Sequence, residues 1–258
     1  EKGEMACGEF GEGKMSSPRQ IYIYLKNYFD KINLVKKKNW KALVTAGPTR
    51  EYIDPVRYIS NESSGKQGYE IAIALNKLGI KTTLISGPSK IASPRGLKVK
   101  KITSADEMFN EVKKSLPVDL AVCAAAVTDF KPAEKSKNKI KKEGIDLKTI
   151  SFVKNNDILQ FISTNNKHRP RLVVGFSAET ENLTKNSINK IKKKHCDLIF
   201  ANDVSKKGIG FNSDYNKVSV IDKKGNIKIL PKNKKSFIAK KIAEILLDKL
   251  LIDDRNIN

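Results

Sequence analysis

Regular alternation of apolar strand segments with helical segments between Lys41 and Ala201 predicts an α/β fold: a mostly parallel sheet with helices on both faces, followed by a C-terminal β-hairpin. Three observations carry this prediction. Strands separated by helices of about a dozen residues require right-handed crossovers, which make the strands parallel and cover both sheet faces. Near the end of the chain, two strand-like runs flank Lys223-Lys224-Gly225-Asn226, a turn sequence. The connections that follow several strands are also much longer than a simple connector needs.

The elements follow in order. Residues 1 to 19 hold four of the 15 glycines and little apolar periodicity, and read as loop or flap. Residues 20 to 34 can form a helix, and Val35 to Asn39 reads as a Lys-rich linker, which places a domain boundary between residues 1–38 and 39–258. Lys41 to Ala46 is a buried strand, and Lys66 to Leu78 is a helix with Ile71, Ala72, Ala74 and Leu75 inward. Lys81 to Ser86 and Leu97 to Ile102 are strands. Ser104 to Ser115 is a helix, with Ser104 as cap and Glu107 three residues on. Asp119 to Ala125 is a strongly apolar strand. Leu172 to Phe176, a helix from Glu179 to Lys194, and Asp197 to Ala201 continue the series. Lys217 to Ile221 and Ile227 to Leu230 form the hairpin, and Asn233 to Leu251 is a closing helix.

The 258 residues are 39% hydrophobic and 30% charged, which suits one or two globular domains and excludes general disorder. No stretch approaches the roughly 20 apolar residues of a membrane-spanning helix. Fifty Lys+Arg against 28 Asp+Glu give a net charge of +22, yet only seven of the basic residues are Arg. Base and phosphate recognition favours Arg interleaved with aromatics. Aromatics are 7% here, so the excess reads as Lys-rich codon drift with solvated lysines, Lys232, Lys234 and Lys235 among them, rather than as a nucleic-acid surface. A small anionic ligand suits the charge better. Cys7, Cys123 and Cys196 form no CxxC pair, and His168 and His195 make no ligand cluster with them, so neither a disulfide framework nor a zinc site is expected. A reducing cytoplasm is the default. The chain opens on Glu1 without a leader pattern and reads as a sequence that starts partway through a longer protein.

In open sheets of this kind ligands sit beyond the carboxyl ends of strands. The first such loop, TAGPTREYIDPVRYISNESSGKQG, is long for a connector. Gly47, Ser63, Ser64, Gly65 and Gly68 can bring backbone N–H groups to a phosphate or carboxylate at the helix start, although simple helix capping explains the serines equally well. Arg57 and Asn61 offer a guanidinium and an amide for a carboxylate and a carbonyl, with a structural turn as the alternative for the Asn. In CAAAVTDFKPAEKSKNKIKK, Ala124 to Ala126 leave room for a flat ligand or serve packing. Lys135 to Lys142, beside Asp129, is either a solvated run or a mobile loop that closes on a polyphosphate. Lys190 and Lys194 lie four apart, on one helix face.

Together AGPTRE-x-IDPVRYISN-x-SSGK-x-G, AAAV-x-D-F-x-P followed by KIKK, VKN-x-DI, VGF-x-AET and AND resemble the phosphopantothenoylcysteine synthetase family (phosphopantothenate–cysteine ligases) in order and spacing across residues 41 to 252. MACGEFGEGKM resembles the carboxyl-terminal flap of phosphopantothenoylcysteine decarboxylases, which in bacteria are fused to such synthetases in bifunctional proteins of coenzyme A biosynthesis. The resemblance implies a Rossmann-like sheet and a ligation in two steps: phosphopantothenate attacks CTP to give an acyl-cytidylate, and cysteine then displaces CMP. It implies Mg²⁺ as a requirement, with no protein metal ligands assigned, and a homodimer of synthetase domains. FMN is expected only in the decarboxylase portion absent here. By the same resemblance Lys139 serves cytidylate formation, Asn61 processes the acyl-cytidylate, and Arg57 favours the second step. CTP contacts fall on Ala125, Ala126, Asp129, Lys139, Asn156, Asp157, Ile158, Leu159, Phe176, Lys190 and Lys194. Cys7 matches the decarboxylase's proton donor, with nothing to protonate in this chain. One departure is visible: Asn156 stands where the family has proline, which removes a rigid residue from that loop. The competing enzyme reading, a dinucleotide or nucleotide-sugar enzyme, lacks its G-x-G-x-x-G after the first strand and an acidic residue ending the second.

Overall fold

The structure, a computed structural model, describes residues 2–4, 10–12, 15–141, 150–179, 181–203 and 213–255. They belong to two compact units, Glu1–Asn39 and Trp40–Asn258. In the first, β1 (Lys2–Glu4) and β2 (Phe10–Glu12) pair antiparallel with Gly3 opposite Gly11, where the glycine content predicts only loop. Such a pairing rests on backbone groups and leaves no side-chain periodicity to read. Helix α1 (Pro18–Lys38) starts at a capping box: Gln20 N–H donates to Ser17 Oγ at 3.3 Å, and Ser17 N–H donates to Gln20 Oε1 at 3.1 Å. The helix runs on through the lysines expected as a linker, because cations in its last turn suit the negative end of the helix dipole, and it stops at Asn39 with φ of 55°.

The second unit contains β3 (Lys41–Ala46), β4 (Arg50–Tyr52), β5 (Tyr58–Ser60), α2 (Lys66–Lys77), β6 (Lys81–Ser86), β7 (Lys98–Lys101), α3 (Ala105–Ser115), β8 (Leu120–Cys123), β9 (Phe130–Pro132), β10 (Phe152–Lys154), α4 (Ile158–Ser163), β11 (Leu172–Glu179), α5 (Leu183–Lys194), β12 (Leu198–Asp203), β13 (Tyr215–Asp222), β14 (Ile227–Lys234) and α6 (Lys235–Arg255). Eight strands form one sheet in the order β14-β13-β12-β11-β8-β3-β6-β7. From β12 to β7 every neighbour is parallel, and β13 and β14 add an antiparallel hairpin. This is the expected Rossmann-like α/β sheet. The hairpin turns at Gly225, with φ of 81°, and Asp222 Oδ1 accepts the N–H groups of Lys224 and Asn226. On one sheet face Met108 and Val112 of α3, Ile158 and Ile162 of α4, and Ile191 of α5 pack with Leu43, Ala121, Val173 and Ile199. Helices α2 and α6 pack together, α2 over β3 and β6 and α6 over β13 and β14, and bury Tyr69, Ala72, Leu75, Ile238, Ile242 and Leu246. No described helix is long and apolar enough to cross a membrane.

Two local expectations change. Strand β11 extends through Glu179, predicted to open a helix, because Ser177, Ala178 and Glu179 pair with Ala201, Asn202 and Asp203 of β12. Helix α5 starts only at Leu183, after Asn182 at φ of 49°. The long loop after β3 folds partly on itself, as β4 and β5 pair antiparallel.

The chain runs outward from β3 to β6 and β7, then returns to β8 on the other side of β3. Strand order therefore reverses between β3 and β8, and the loops beyond their carboxyl ends diverge to leave a crevice.

Candidate functional site

Two adjoining cavities occupy that crevice. The larger, about 480 Å³, is lined by the loop Asn61 to Gly68, by Ala124 to Val127, by Phe176 to Ala178 of β11, and by Asn202, Asn216 and Lys235. The smaller, about 210 Å³, is lined by Thr45, Cys123, Thr128, Asn155 to Leu159 and Lys194. Ala125, Val127, Asp129, Phe176 and Lys190 line both and form their junction.

Backbone pairing holds the crevice's floor. Ala124 N–H donates to Thr45 C=O at 3.2 Å and Ala126 N–H to Gly47 C=O at 2.9 Å, so the ends of β3 and β8 stay in register past the last strand residue. The short side chains of Ala124 to Ala126 keep this floor low. Gly65 caps α2 with φ of 76°. Gly68 has a packing role: a Cβ there would lie 2.6 Å from Ala46 Cβ, so glycine lets the first turn of α2 press against β3.

The expected site residues fall into two sets. Asn61, Ala125, Ala126, Asp129, Asn156, Asp157, Ile158, Leu159, Phe176, Lys190 and Lys194 all line one or both cavities. Asn61 Nδ2 donates to the Val127 carbonyl at 3.0 Å, which orients the amide and leaves its oxygen as the acceptor it can offer. Lys190 Nζ donates to the Phe176 carbonyl at 2.8 Å, and burial pushes the pKa of its ammonium down. Lys194 pairs with Asp157, whose other oxygen caps α4 by accepting Gln160 N–H at 2.8 Å. The loop carrying Asn156 is held by Asn155, whose Nδ2 donates to the Thr128 carbonyl at 2.9 Å and whose N–H donates to Asp129 C=O at 2.9 Å. Asn155 Oδ1 is buried with no hydrogen-bond donor among the described residues. Burial pushes the Cys123 thiol up to about 12, so it is a neutral wall rather than a nucleophile.

Arg57 and Lys139 lie outside both cavities, and Arg57 bonds to Ile140, the residue after Lys139. Arg57 Nη2 donates to the Ile140 carbonyl at 2.9 Å, and Ile140 N–H donates to Asp54 Oδ2 at 3.2 Å. Ser136 N–H donates to Ile53 C=O at 2.9 Å. The lysine-bearing loop, as far as Lys141, is thus tied to the loop between β4 and β5 and carries Lys139 exposed to solvent. Lys142 and Cys7 lie outside the described residues.

Three residues of the site escaped the sequence reading. Asp54, inside IDPVR, is the buried carboxylate that receives Arg57, Val56 and Ile140. Asn216, in β13, is buried and donates to Gln67 Oε1 at 3.1 Å. Lys235, expected on a solvated face, is 5% exposed and lines the larger cavity. Among the described residues no three His, Cys, Asp or Glu side chains gather as a metal site.

Residues 37–250 match the family model described as "DNA/pantothenate metabolism flavoprotein C-terminal domain". The chain is 41% identical, over 93% of its length, to a Vibrio vulnificus protein named "Coenzyme A biosynthesis bifunctional protein CoaBC", and it spans 59% of that relative's length. A solved structure of the C-terminal domain of a CoaBC protein superposes with a TM-score of 0.69 at 32% identity, covering 82% of this chain and 95% of that one. A Cab2 mutant solved in complex with phosphopantothenate-cysteine shares the fold, with a TM-score of 0.67 at 15% identity, covering 93% of this chain and 97% of the other.

Proposed function

This chain belongs to the DNA/pantothenate metabolism flavoprotein C-terminal domain family, and from that premise we propose that it ligates phosphopantothenate to cysteine at the expense of CTP, supplying an intermediate of coenzyme A biosynthesis. The observation that carries the reading is the pair of cavities meeting at Ala125, Val127, Asp129, Phe176 and Lys190. Two substrates must present a carboxylate to a phosphorus atom, and two cavities with a common wall bring them together.

In the first step a carboxylate oxygen of phosphopantothenate bonds to the α-phosphorus of CTP. The bond to the bridging oxygen breaks, and pyrophosphate leaves with that electron pair. In the second, the amine of cysteine bonds to the acyl carbon, CMP leaves and the amine loses its proton. The smaller cavity takes the nucleoside: Lys194 with Asp157 and the backbone of Asn156 to Leu159 face it, and Phe176 and Lys190 close its inner side. Asn61 lines the larger cavity beside that junction, where its amide oxygen accepts a hydrogen from the incoming cysteine amine and steers it to the acyl carbon. Lys139, exposed on the loop tied to Arg57 and outside both cavities, reaches the triphosphate when that loop closes over the bound nucleotide, and there offsets charge that builds on the leaving pyrophosphate. Mg²⁺ carried mainly by nucleotide phosphates suits a single carboxylate at the junction, Asp129, and would neutralise phosphate charge there. Neither step changes an oxidation level, so a flavin has no part in them. We assign the flavin to the portion of the longer relatives that this chain does not match.

Exposed Val56 in the β4–β5 loop and Tyr58 at the start of β5 support a homodimer through that hairpin, which light scattering on the purified protein would test. Free thiols at Cys123 and Cys196 suit the reducing cytoplasm. The deciding experiment is product formation from phosphopantothenate, cysteine, CTP and Mg²⁺, followed by mass spectrometry and pyrophosphate release. Phosphopantothenoylcysteine with CTP and loss of turnover in EDTA are expected. No product with any nucleoside triphosphate would overturn the reading.

A further inference from the structure

Glu51, in β4, is 4% exposed and lines neither cavity, yet a chain of hydrogen bonds leads from its carboxylate into the smaller one. Its Oε1 accepts Ala105 N–H at 2.9 Å, at the start of α3, and the Thr128 hydroxyl at 3.0 Å. Burying a carboxylate is costly without such donors, and the α3 dipole adds a field of the favourable sign. Thr128 has one hydroxyl proton. Because Glu51 takes it, the other two neighbours of Thr128 Oγ1 must donate: the Thr49 hydroxyl at 3.0 Å and Asn155 Nδ2 at 3.2 Å. Thr49 Oγ1 in turn accepts Thr128 N–H at 3.1 Å, so the chain closes with each hydroxyl proton assigned.

We propose that Glu51 is a positioning residue for the smaller cavity: acting through Thr128, it fixes the direction of the Asn155 amide and with it the spacing of the two segments that wall that cavity. The proposal deepens the ligase reading, on which only the identity of the bound nucleotide rests. Asn155 presents Nδ2 to the Thr128 carbonyl at 2.9 Å as well as to Thr128 Oγ1, and its N–H donates to Asp129 C=O at 2.9 Å. Thr128 and Asp129 form one wall, and Asn155 to Leu159 form the other. With the Thr128 proton spent on Glu51, an Asn155 amide turned end for end would set its oxygen against two acceptors. Without Glu51, the hydroxyl is free to donate to that oxygen, and the reversed amide lets the walls part. The larger cavity is spared, because Asn61 holds the Val127 carbonyl independently. Thr49 and Glu51 stand in AGPTRE and Asn155 in VKN-x-DI, motif residues to which the chemistry of the ligation gives no part.

The experiment compares the intact chain with Glu51→Ala, Glu51→Gln, Thr128→Val and the double variant Glu51→Ala/Thr128→Val. It reads steady-state kinetics, Tm, and the rate at which iodoacetamide alkylates Cys123, a residue of the smaller cavity, followed at its own peptide by mass spectrometry. Glu51→Ala should raise the KM for CTP about tenfold, with kcat and the KM for phosphopantothenate within about threefold of wild type. Glu51→Gln keeps an accepting oxygen and should stay within about threefold throughout. Thr128→Val keeps the branched shape without the hydroxyl and should match Glu51→Ala. The double variant should be no worse than either single one, since both interrupt the same chain of bonds. Well below every Tm, Cys123 should be alkylated severalfold faster in Glu51→Ala and Thr128→Val than in wild type. If Glu51→Ala fails to fold, Thr128→Val against wild type decides by the same two readouts. A KM that rises equally for both substrates, losses that add in the double variant, or a Glu51→Gln as impaired as Glu51→Ala would overturn the positioning role. Unchanged alkylation of Cys123 in the variants would overturn it whatever the kinetics. Faster alkylation in the variants of a chain with no ligase turnover would overturn the ligase reading and leave the positioning role standing.

Discussion

Asp54 grips Arg57 from two sides: its Oδ1 accepts the Arg57 backbone N–H at 2.8 Å, and its Oδ2 accepts Nε at 3.0 Å and Nη2 at 2.6 Å. The same Oδ2 receives Ile140 N–H, so one buried carboxylate fixes both the guanidinium and the loop that carries Lys139. The guanidinium holds Asp54 far below the usual carboxylate range.

Replacing this carboxylate by an amide should therefore loosen two elements at once. Asp54→Asn is expected to lower kcat/KM on the order of tenfold, with Arg57 still present, since a charge-assisted pair orients it. The sign of the pH effect follows from the depressed value. Asp54's contribution to stability is fully present above its unfolded value of about 3.9 and is lost as pH falls through the lower native one. The gap in Tm between wild type and Asp54→Asn should hold down to about pH 4–5 and narrow only below it. A gap that closes between pH 7 and 5 would show that another group carries it.

Cys123 gives a probe of the smaller cavity. With its thiol pushed up to about 12, it should carry on the order of a thousandfold less thiolate at neutral pH than an unperturbed cysteine. Alkylation by a small reagent should be slow, should keep rising through pH 10 without levelling, and should slow further when CTP is added. A plateau near pH 9, or indifference to CTP, would remove Cys123 from the nucleotide cavity.

Gly68 tests the packing that places the first cavity wall. Gly68→Ala puts a methyl carbon 2.6 Å from Ala46 Cβ, and both atoms belong to rigid elements. The expected loss is about 1–3 kcal/mol, read by denaturant midpoint, with a raised KM for whichever substrate the start of α2 contacts. An unchanged midpoint would show that α2 can shift without cost.

The sheet was legible because its signals are local. Lys41 to Ala46 and Leu120 to Cys123 are apolar runs whose strand character survives any neighbour, and Ile71, Ala72 and Leu75 recur at helical spacing. Asn61, Phe176 and Lys190 were legible from motifs at strand ends, and all three line the cavities. Elements decided by distant partners were not legible. Glu179 remains in a strand because Asp203 pairs with it. Lys232, Lys234 and Lys235 look alike in sequence, and only the docking of α6 against α2 decides which of them is buried. Asp54 was hidden for a similar reason, since one of its partners, Ile140, lies 86 residues away.

Lys194 separates the two cavities kinetically, because it lines only the smaller one. Lys194→Gln should raise the KM for CTP about tenfold and leave that for phosphopantothenate within about twofold. Raising salt should not reproduce the effect, since a part-buried pair is screened far less than exposed lysines. Equal rises for both substrates would mean that a diffuse positive field recruits them.

The last prediction divides the reaction between Lys139 and Asn61. Lys139 is exposed on a loop outside both cavities, whereas Asn61 lines the larger cavity with its amide already oriented by Val127. Lys139→Ala should lose pyrophosphate release before any cysteine is added, because charge on the leaving group is no longer offset. Asn61→Asp should still release pyrophosphate, since the amide acts on the incoming amine of the second step, yet it should stall with acyl-cytidylate bound. A carboxylate in place of the amide repels the nucleotide's phosphate and misplaces the incoming amine. Quenched samples of Asn61→Asp with phosphopantothenate and CTP should show the intermediate's mass. Its absence, together with equal loss of pyrophosphate release in both variants, would show that the two residues serve the same step.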